Sequence, residues 1–345
     1  RIRTIFEGFR KMKKILITGG AGFIGSQLGY YLHNKGNEVV LLDNMSYGNK
    51  DNLEIDGETF GTFIEDDVRN KTIFDYTKDV DYIYHFAGIA PLPDCQENPK
   101  DAIDINVAGT ANVFEAARMN GVKRVIFAST SALYENHKTY PAKESDDIFP
   151  DLIYATTKKQ CELLCESFGS VYDLPIVMLR FFNVYGPHQD FRRKHPPLTG
   201  YLMKTFLQNE IPTLFSDGEQ RRDYVYIDDL INICEIVMTH DKAVGEKFNV
   251  SSGDTYSVNE IYNSVAKCFG VTSKPNYNIA SKFWDTYPHL FEGKYTLSKH
   301  RLEKEVLKYC LGDTTKSKEV LGWEAKTTLD DGMKECVEHA KRIGL

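Results

Sequence analysis

No run in this 345-residue chain approaches the roughly 18 consecutive apolar residues of a membrane-spanning helix. A basic excess is missing too. Lys and Arg number 42 against 49 Asp and Glu, a net charge of −7. That argues against a nucleic-acid partner, while a local basic patch can still hold a phosphate. Cysteine is scarce and scattered. Seven residues, an odd number, suit reduced thiols in a cytoplasm better than a disulfide framework. Cys161 and Cys165 stand one helical turn apart, but no His or Cys cluster completes a metal site, so they read as buried helix residues and no metal is expected. The opening, RIRTIFEGFRKMKK, lacks the continuous apolar core and small-residue cleavage site of a secretory signal. Met12 reads as the natural start, and residues 1–11 as an added or disordered extension. The sequons at Asn44, Asn70 and Asn249 then read as chance matches. Repeats and low-complexity segments are also missing.

What is present is organised around Ile15–Gly25, ILITGGAGFIG. Ile15, Leu16, Ile17 and Thr18 predict a buried strand that runs into Gly19, Gly20, Gly22 and Gly25. Apolar residues then resume at helical spacing at Phe23, Ile24, Leu28, Tyr31 and Leu32. Strand, glycine turn, helix is the context in which a glycine series binds a dinucleotide. Glycine lets the backbone approach a pyrophosphate, and the helix N-terminus offers free N–H groups and a positive dipole end.

A second strand, Glu38–Leu42, ends at Asp43-Asn44. Asp43 falls where an acid binds the adenosine ribose 2′-hydroxyl, and no arginine follows at once to receive a 2′-phosphate, so NAD is favoured over NADP. Strands follow at 62–64, 81–86, 124–128 and 175–180, and helices at about 99–120 (with Asn106) and 154–172. Asp67 follows the third strand and faces the adenine. Ala87-Gly88 end the fourth, where small residues admit a ligand to the sheet crevice. The alternation predicts an α/β fold, a Rossmann-type doubly wound parallel sheet. Residues 12–185 read as the NAD-binding domain. From Gly186 the pattern loosens, with irregular stretches at 187–222 and 271–315. Residues 186–345 read as a smaller, mixed α/β substrate domain, of which about 223–252 packs back on the sheet.

Tyr154 and Lys158 stand four apart on a predicted helix and share a face. A free tyrosine titrates near pH ~10, so lowering it by about three units requires roughly 4 kcal/mol of phenolate stabilisation. The lysine and a positively charged nicotinamide are the means. Thr130, at the preceding strand end, is placed to hydrogen-bond the substrate oxygen whose proton Tyr154 takes.

Taken in order, TGGAGFIG, DN, HFAG, NVAGT, FASTSALY, YATTK, RFFNVYGP and GEQRRDYVYIDD resemble the extended short-chain dehydrogenase/reductase family of nucleotide-sugar epimerases and dehydratases. The resemblance runs from Lys13 to about Trp323. It implies NAD in the first domain, a nucleoside-diphosphate sugar in the second, and a homodimer built on the helices 99–120 and 154–172. Carried over residue by residue, it puts Gly19, Gly22, Phe23, Ile24 and Gly25 at the pyrophosphate and Asp43-Asn44 at the adenosine ribose. Asp67-Val68 fall at the adenine, and Ala87, Gly88 and Lys158 at the nicotinamide half. Thr130, Tyr154 and Lys158 are the implied catalytic set. Asn183, Arg222 and Arg301 are the implied contacts to the sugar nucleotide, and the match at Arg301 needs one extra residue.

The triplet Thr130-Ser131-Ala132 bears on the reaction. Relatives that eliminate water or carbon dioxide carry an acid here, and Ala132 cannot move a proton. Double epimerases look to a cysteine at this place, also absent, and Cys95 reads as a loop thiol. The resemblance therefore implies a cytoplasmic UDP-hexose 4-epimerase. A dehydratase with its acid elsewhere, such as Glu135, another epimerase, or a non-catalytic binding protein are the alternatives. Glu135 stands where relatives have glycine, and Asp94 where a basic residue is common; both bear on the sugar pocket.

Overall fold

The computed structural model describes residues 12–189, 191 and 196–344; the expectation for residues 1–11 lies outside them. In chain order, the sheet and its partners are β1 (Lys14–Thr18), α1 (Phe23–Asn34), β2 (Glu38–Asp43), β3 (Thr62–Glu65), β4 (Tyr82–His85), α2 (Gly109–Met119), β5 (Arg124–Thr130), α3 (Ile153–Tyr172) and β6 (Ile176–Phe181). Beyond them lie α4 (Leu198–Leu207), α5 (Ile227–Thr239), β7 (Lys247–Val250), α6 (Val258–Phe269), α7 (Lys299–Leu307) and α8 (Leu329–Ile343).

The seven strands pair in the order β3-β2-β1-β4-β5-β6-β7, and every pairing is parallel. Both faces of such a sheet must be covered, which is why its central strands are largely apolar. Ile15 and Ile17 point into one core and Leu16 into the other. On the first side, Leu28 of α1 and Leu230 of α5 share a core with Met203 of α4, Val265 of α6 and Met333 of α8. The other side is filled by Val113 and Phe114 of α2 and by Cys161 and Cys165 of α3. β7 is the sheet's outer strand, registered Phe248 to Leu179 of β6.

One element departs from its reading. The helix expected over 99–120 is α-helical at Pro99–Ile103, widens to a π turn over Asp104–Ala108, and resumes as α2. Such turns concentrate at functional sites, and this one holds Asn106. No helix among the described residues is long and apolar enough to cross a membrane.

Candidate active site

The strand order reverses between β1 and β4, and at that switch point the carboxyl ends of neighbouring strands open a crevice. Gly19, Gly22, Asp43, Asn44, Asp67, Val68, Ala87 and Gly88 line one cleft there. The loop glycines serve different purposes. Gly19 has φ +72° and a Cβ on it would lie 2.8 Å from the Ala87 nitrogen; one on Gly25 would lie 2.2 Å from the Gly19 oxygen. Both are required by the fold itself. Gly22 is not: its φ −77° and ψ 168° suit any residue, and within 4 Å a Cβ would meet only the Gly19 oxygen, at 3.2 Å.

What glycine at position 22 leaves open is cleft. α1 starts there with no side-chain cap and no acid in its first turn. The N–H groups of Phe23, Ile24 and Gly25 thus face the cleft end of a positive dipole without a side-chain acceptor. Phe23 and Ile24 are partly buried, with their side chains packed against the core. This cradle fits a dinucleotide pyrophosphate.

Asp43 is buried at the end of β2. Its Oδ2 accepts the Ala21 N–H at 3.1 Å and its Oδ1 the Met45 N–H at 2.8 Å, so it also ties down the glycine loop. Burial raises its pKa against those two hydrogen bonds. Asn44 donates to Asp67 Oδ2 at 2.7 Å. Arg69 grips the same carboxylate from Nε at 2.8 Å and from its terminal nitrogen at 2.7 Å. Those hydrogen bonds, Arg69's first, hold Asp67 at a pKa of about 2.

Across the crevice, Tyr154 stands in the first turn of α3. Burial pushes its phenol up to about 12, opposed by a hydrogen bond with Thr130. Lys158 directs its ammonium to the Ala128 carbonyl at 2.8 Å, and burial lowers its pKa. Deprotonating Tyr154 at neutral pH from this state needs about 7 kcal/mol of further phenolate stabilisation. The lysine ammonium is hydrogen-bonded to a strand carbonyl rather than to the phenol. A nicotinamide cation would bring the missing charge. Ala132 is buried, with its N–H on Thr130 Oγ1 at 3.1 Å, so the triplet presents no acid. Asn106 lies beneath Gly88, its amide bound to Ile89 and Thr157. Cys95 lies on a short helix, Leu92–Glu97, rather than in a loop; it is buried against the Ile89 carbonyl, and burial pushes its thiol up to about 12.

The three expected substrate contacts are placed differently from one another. Asn183 spends one amide N–H on the Asp223 carbonyl at 2.7 Å. Arg222 reaches the Glu305 and Val306 carbonyls, both at 3.0 Å, at the end of α7. Arg301, on α7, has its guanidinium among the carboxylates of Asp151 (2.7 Å), Glu135 (2.9 Å) and Glu305 (3.6 Å). Glu135 Oε1 accepts the N–H groups of Asp151 and Leu152.

Sequence reasoning missed the polar core under the site. Arg180 of β6, 1% exposed, pairs with Glu162 of α3 at 2.7 Å. Ser129 donates to the same carboxylate at 2.6 Å, and Arg180 also donates to the Tyr134 hydroxyl at 2.6 Å. The signal was an arginine inside the apolar run IVMLRF. A buried charge must be paired, so an acid on the covering helix was implied. Similarly, His85 bridges Thr18 (2.7 Å) and Thr110 (2.9 Å), and burial holds its pKa down to about 3, so it stays neutral.

This architecture recurs in known proteins. A putative UDP-glucose 4-epimerase of Methanocaldococcus jannaschii is 31% identical over 95% of this chain and 98% of its own. A UDP-N-acetyl-alpha-D-glucosaminuronate decarboxylase of Bacillus cytotoxicus is 30% identical, covering 96% and 98%. The Thermotoga maritima UDP-glucose 4-epimerase, solved with UDP-glucose, superposes with a TM-score of 0.83 at 30% identity, covering 96% of this chain and 99% of that one. The profile of the NAD dependent epimerase/dehydratase family matches residues 15–251. With its glycine cradle, its Thr130–Tyr154–Lys158 set and this match, the chain belongs to the NAD dependent epimerase/dehydratase family, and its cofactor is NAD.

Proposed function

We propose that the protein is a nucleotide-sugar epimerase that inverts C4 of a UDP-hexose, either UDP-glucose/galactose or a UDP-N-acetylhexosamine. The carrying observation is the Thr130–Tyr154–Lys158 set with Ala132, and no acid, closing the triplet. Gly19, Gly22 and the first N–H groups of α1 hold the pyrophosphate, Asp43 and Asn44 the adenosine ribose, and Asp67-Val68 the adenine. Ala87, Gly88 and Lys158 border the nicotinamide half. When bound, NAD supplies the acceptor and then the donor of the hydrogen carried by the sugar carbon. Tyr154 takes the C4 hydroxyl proton and later returns it, while Thr130 holds that oxygen in place. C4 is left as a ketone between the two transfers, and the sugar turns to present its other face. Lys158 stabilises the phenolate once its ammonium leaves the Ala128 carbonyl. Asn183 and Arg222 are the diphosphate contacts, Arg222 by exchanging helix-end carbonyls for phosphate oxygens.

Relatives of nearly equal identity carry decarboxylase and epimerase names, so overall similarity does not choose the reaction. Ala132 supports epimerisation, because relatives that eliminate water or carbon dioxide carry an acid at this place. Glu135 does not replace it, since its carboxylate is occupied at the start of α3. Incubation with UDP-glucose or UDP-N-acetylglucosamine, followed by chromatography, should yield the 4-epimer. A 4-keto-6-deoxy sugar or a pentose product would point to the dehydratase or decarboxylase reading instead. No turnover of any nucleotide sugar would favour a binding protein.

Residues 12–185 are the NAD unit in this reading and 186–345 the sugar-nucleotide unit, with α5 and β7 lent back to the sheet. A homodimer is part of the same reading. Ile103, Met119, Leu163, Val171 and Tyr172 are exposed on or beside α2 and α3, an apolar surface that a second copy would cover. The free cysteines suit a reducing cytoplasm.

A further inference from the structure

Glu135 closes the 3-10 turn Ser131–Tyr134 that follows Thr130, and the proposed reaction makes no use of it. Its Oε1 accepts the backbone N–H of Asp151 at 2.6 Å and of Leu152 at 2.9 Å. Leu152 is the N-cap of α3 and makes no side-chain cap of its own. Gln96 takes the next N–H, that of Ile153, at 2.6 Å, and Tyr154 follows directly. Glu135 therefore supplies the negative charge that a helix N-terminus favours, at the turn that aims the catalytic phenol.

The other carboxylate oxygen faces Arg301 of α7 at 2.9 Å. Arg301 donates from Nε to Asp151 at 2.7 Å, so it holds the same loop from the other side. Glu305 lies 3.6 Å from it, and Lys308 pairs with Glu305. The Glu135 side chain is fully buried and that of Arg301 only 13% exposed. Removing either partner would leave a charge poorly compensated. With three carboxylates around it, Arg301 presents little positive field to an incoming diphosphate.

We propose that Glu135 is a positioning residue for Tyr154, and that Arg301 completes a clamp by which α7 fixes the start of the catalytic helix. The inference rests on the proposed role of Tyr154, and it departs from a diphosphate role for Arg301. α7 lies on its own small apolar cluster, with Leu302 packed beside Trp284, Tyr287 and Leu290. Movement of that cluster would reach Tyr154 through Arg301.

The test compares the NAD-loaded wild type with Glu135→Gln, Arg301→Lys, Arg301→Ala and the Glu135→Gln/Arg301→Ala double variant. Hydrogen exchange needs no substrate: protection should fall at 150–158 in both Glu135→Gln and Arg301→Ala, while strands β1, β4 and β5 stay protected. With a turned-over UDP-hexose, Arg301→Ala should lower kcat by about ten- to a hundredfold with KM within about twofold. Arg301→Lys should recover part of that loss. The double variant should be little worse than the poorer single one, since coupled residues are not additive. Unchanged exchange at 150–158 would overturn the proposal. So would additive losses, or a raised KM with intact kcat in Arg301→Ala, which would return that arginine to the substrate. If no nucleotide sugar is turned over, the exchange result alone decides the clamp, and the failure lies with the proposed reaction.

Discussion

A phenol at about 12 cannot act as a base at neutral pH without help, so the chemistry turns on what reaches Tyr154. Its replacement tests that directly. Tyr154→Phe should cut epimerisation by about 10²–10⁴-fold, the usual contribution of a positioned acid–base group. The nicotinamide content of the purified protein should not change. Survival of activity, measured by product chromatography, would remove Tyr154 from the role. His85 gives a residue-scale prediction about stability. Its folded pKa of about 3 lies below the ordinary 6.5, so its contribution is fully present above pH 6.5. It is lost as pH falls through that window, with a slope of at most about 1.4 kcal/mol per pH unit. His85→Gln should flatten the fall in urea midpoint between pH 7 and pH 4.5. Single residues were the least legible in the sequence. Lys158 was recognised by its spacing, but its turn to the Ala128 carbonyl depends on strand β5. Glu135 stood out as a departure from glycine, but only the packed chain shows that it caps α3.

At the scale of elements, the glycine loop separates fold from function. A Cβ on Gly25 would collide with the Gly19 backbone oxygen, so Gly25→Ala should destabilise the protein by about 1–3 kcal/mol. Gly22→Ala meets only the Gly19 oxygen, at 3.2 Å, which a shift of a few tenths of an ångström relieves, so the melting temperature without cofactor should fall far less than in Gly25→Ala. NAD affinity should fall at least about tenfold, because the methyl group occupies the cradle. Calorimetry and NAD titration of the two variants check this pair. If Gly22→Ala binds NAD normally, the pyrophosphate lies elsewhere. Strands and helices of the sheet were legible because apolar runs and glycine turns are local signals. The π turn at Asp104–Ala108 was not, since a single wide turn leaves the helical apolar pattern intact. α7 was hidden for another reason: most of its side chains are polar, and its packing partners, Trp284 and Leu290, precede it in an irregular stretch.

For the whole molecule, the strand order and the crevice at its reversal follow from the alternation of short apolar strands and amphipathic helices. The later half was harder to read because its helices do not form a separate core. Met203, Val265 and Met333 share one with Ile15 and Leu28. The proposed dimer belongs to this scale. Light scattering at micromolar concentration should give twice the chain mass, and Leu163→Glu with Val171→Glu should give monomer; monomer in the unaltered protein would refute the pairing.

In the proposed reaction the chain inverts one sugar carbon through a ketone and returns the hydrogen it removed. The most direct measurement follows UDP-glucose and UDP-N-acetylglucosamine, deuterated at C4, by NMR in the presence of the purified protein. The expected product is a C4 epimer that keeps its deuterium at C4, with no loss of water or carbon dioxide. Washout of that deuterium, a 4-keto-6-deoxy product, or no epimer from any nucleotide sugar would contradict it.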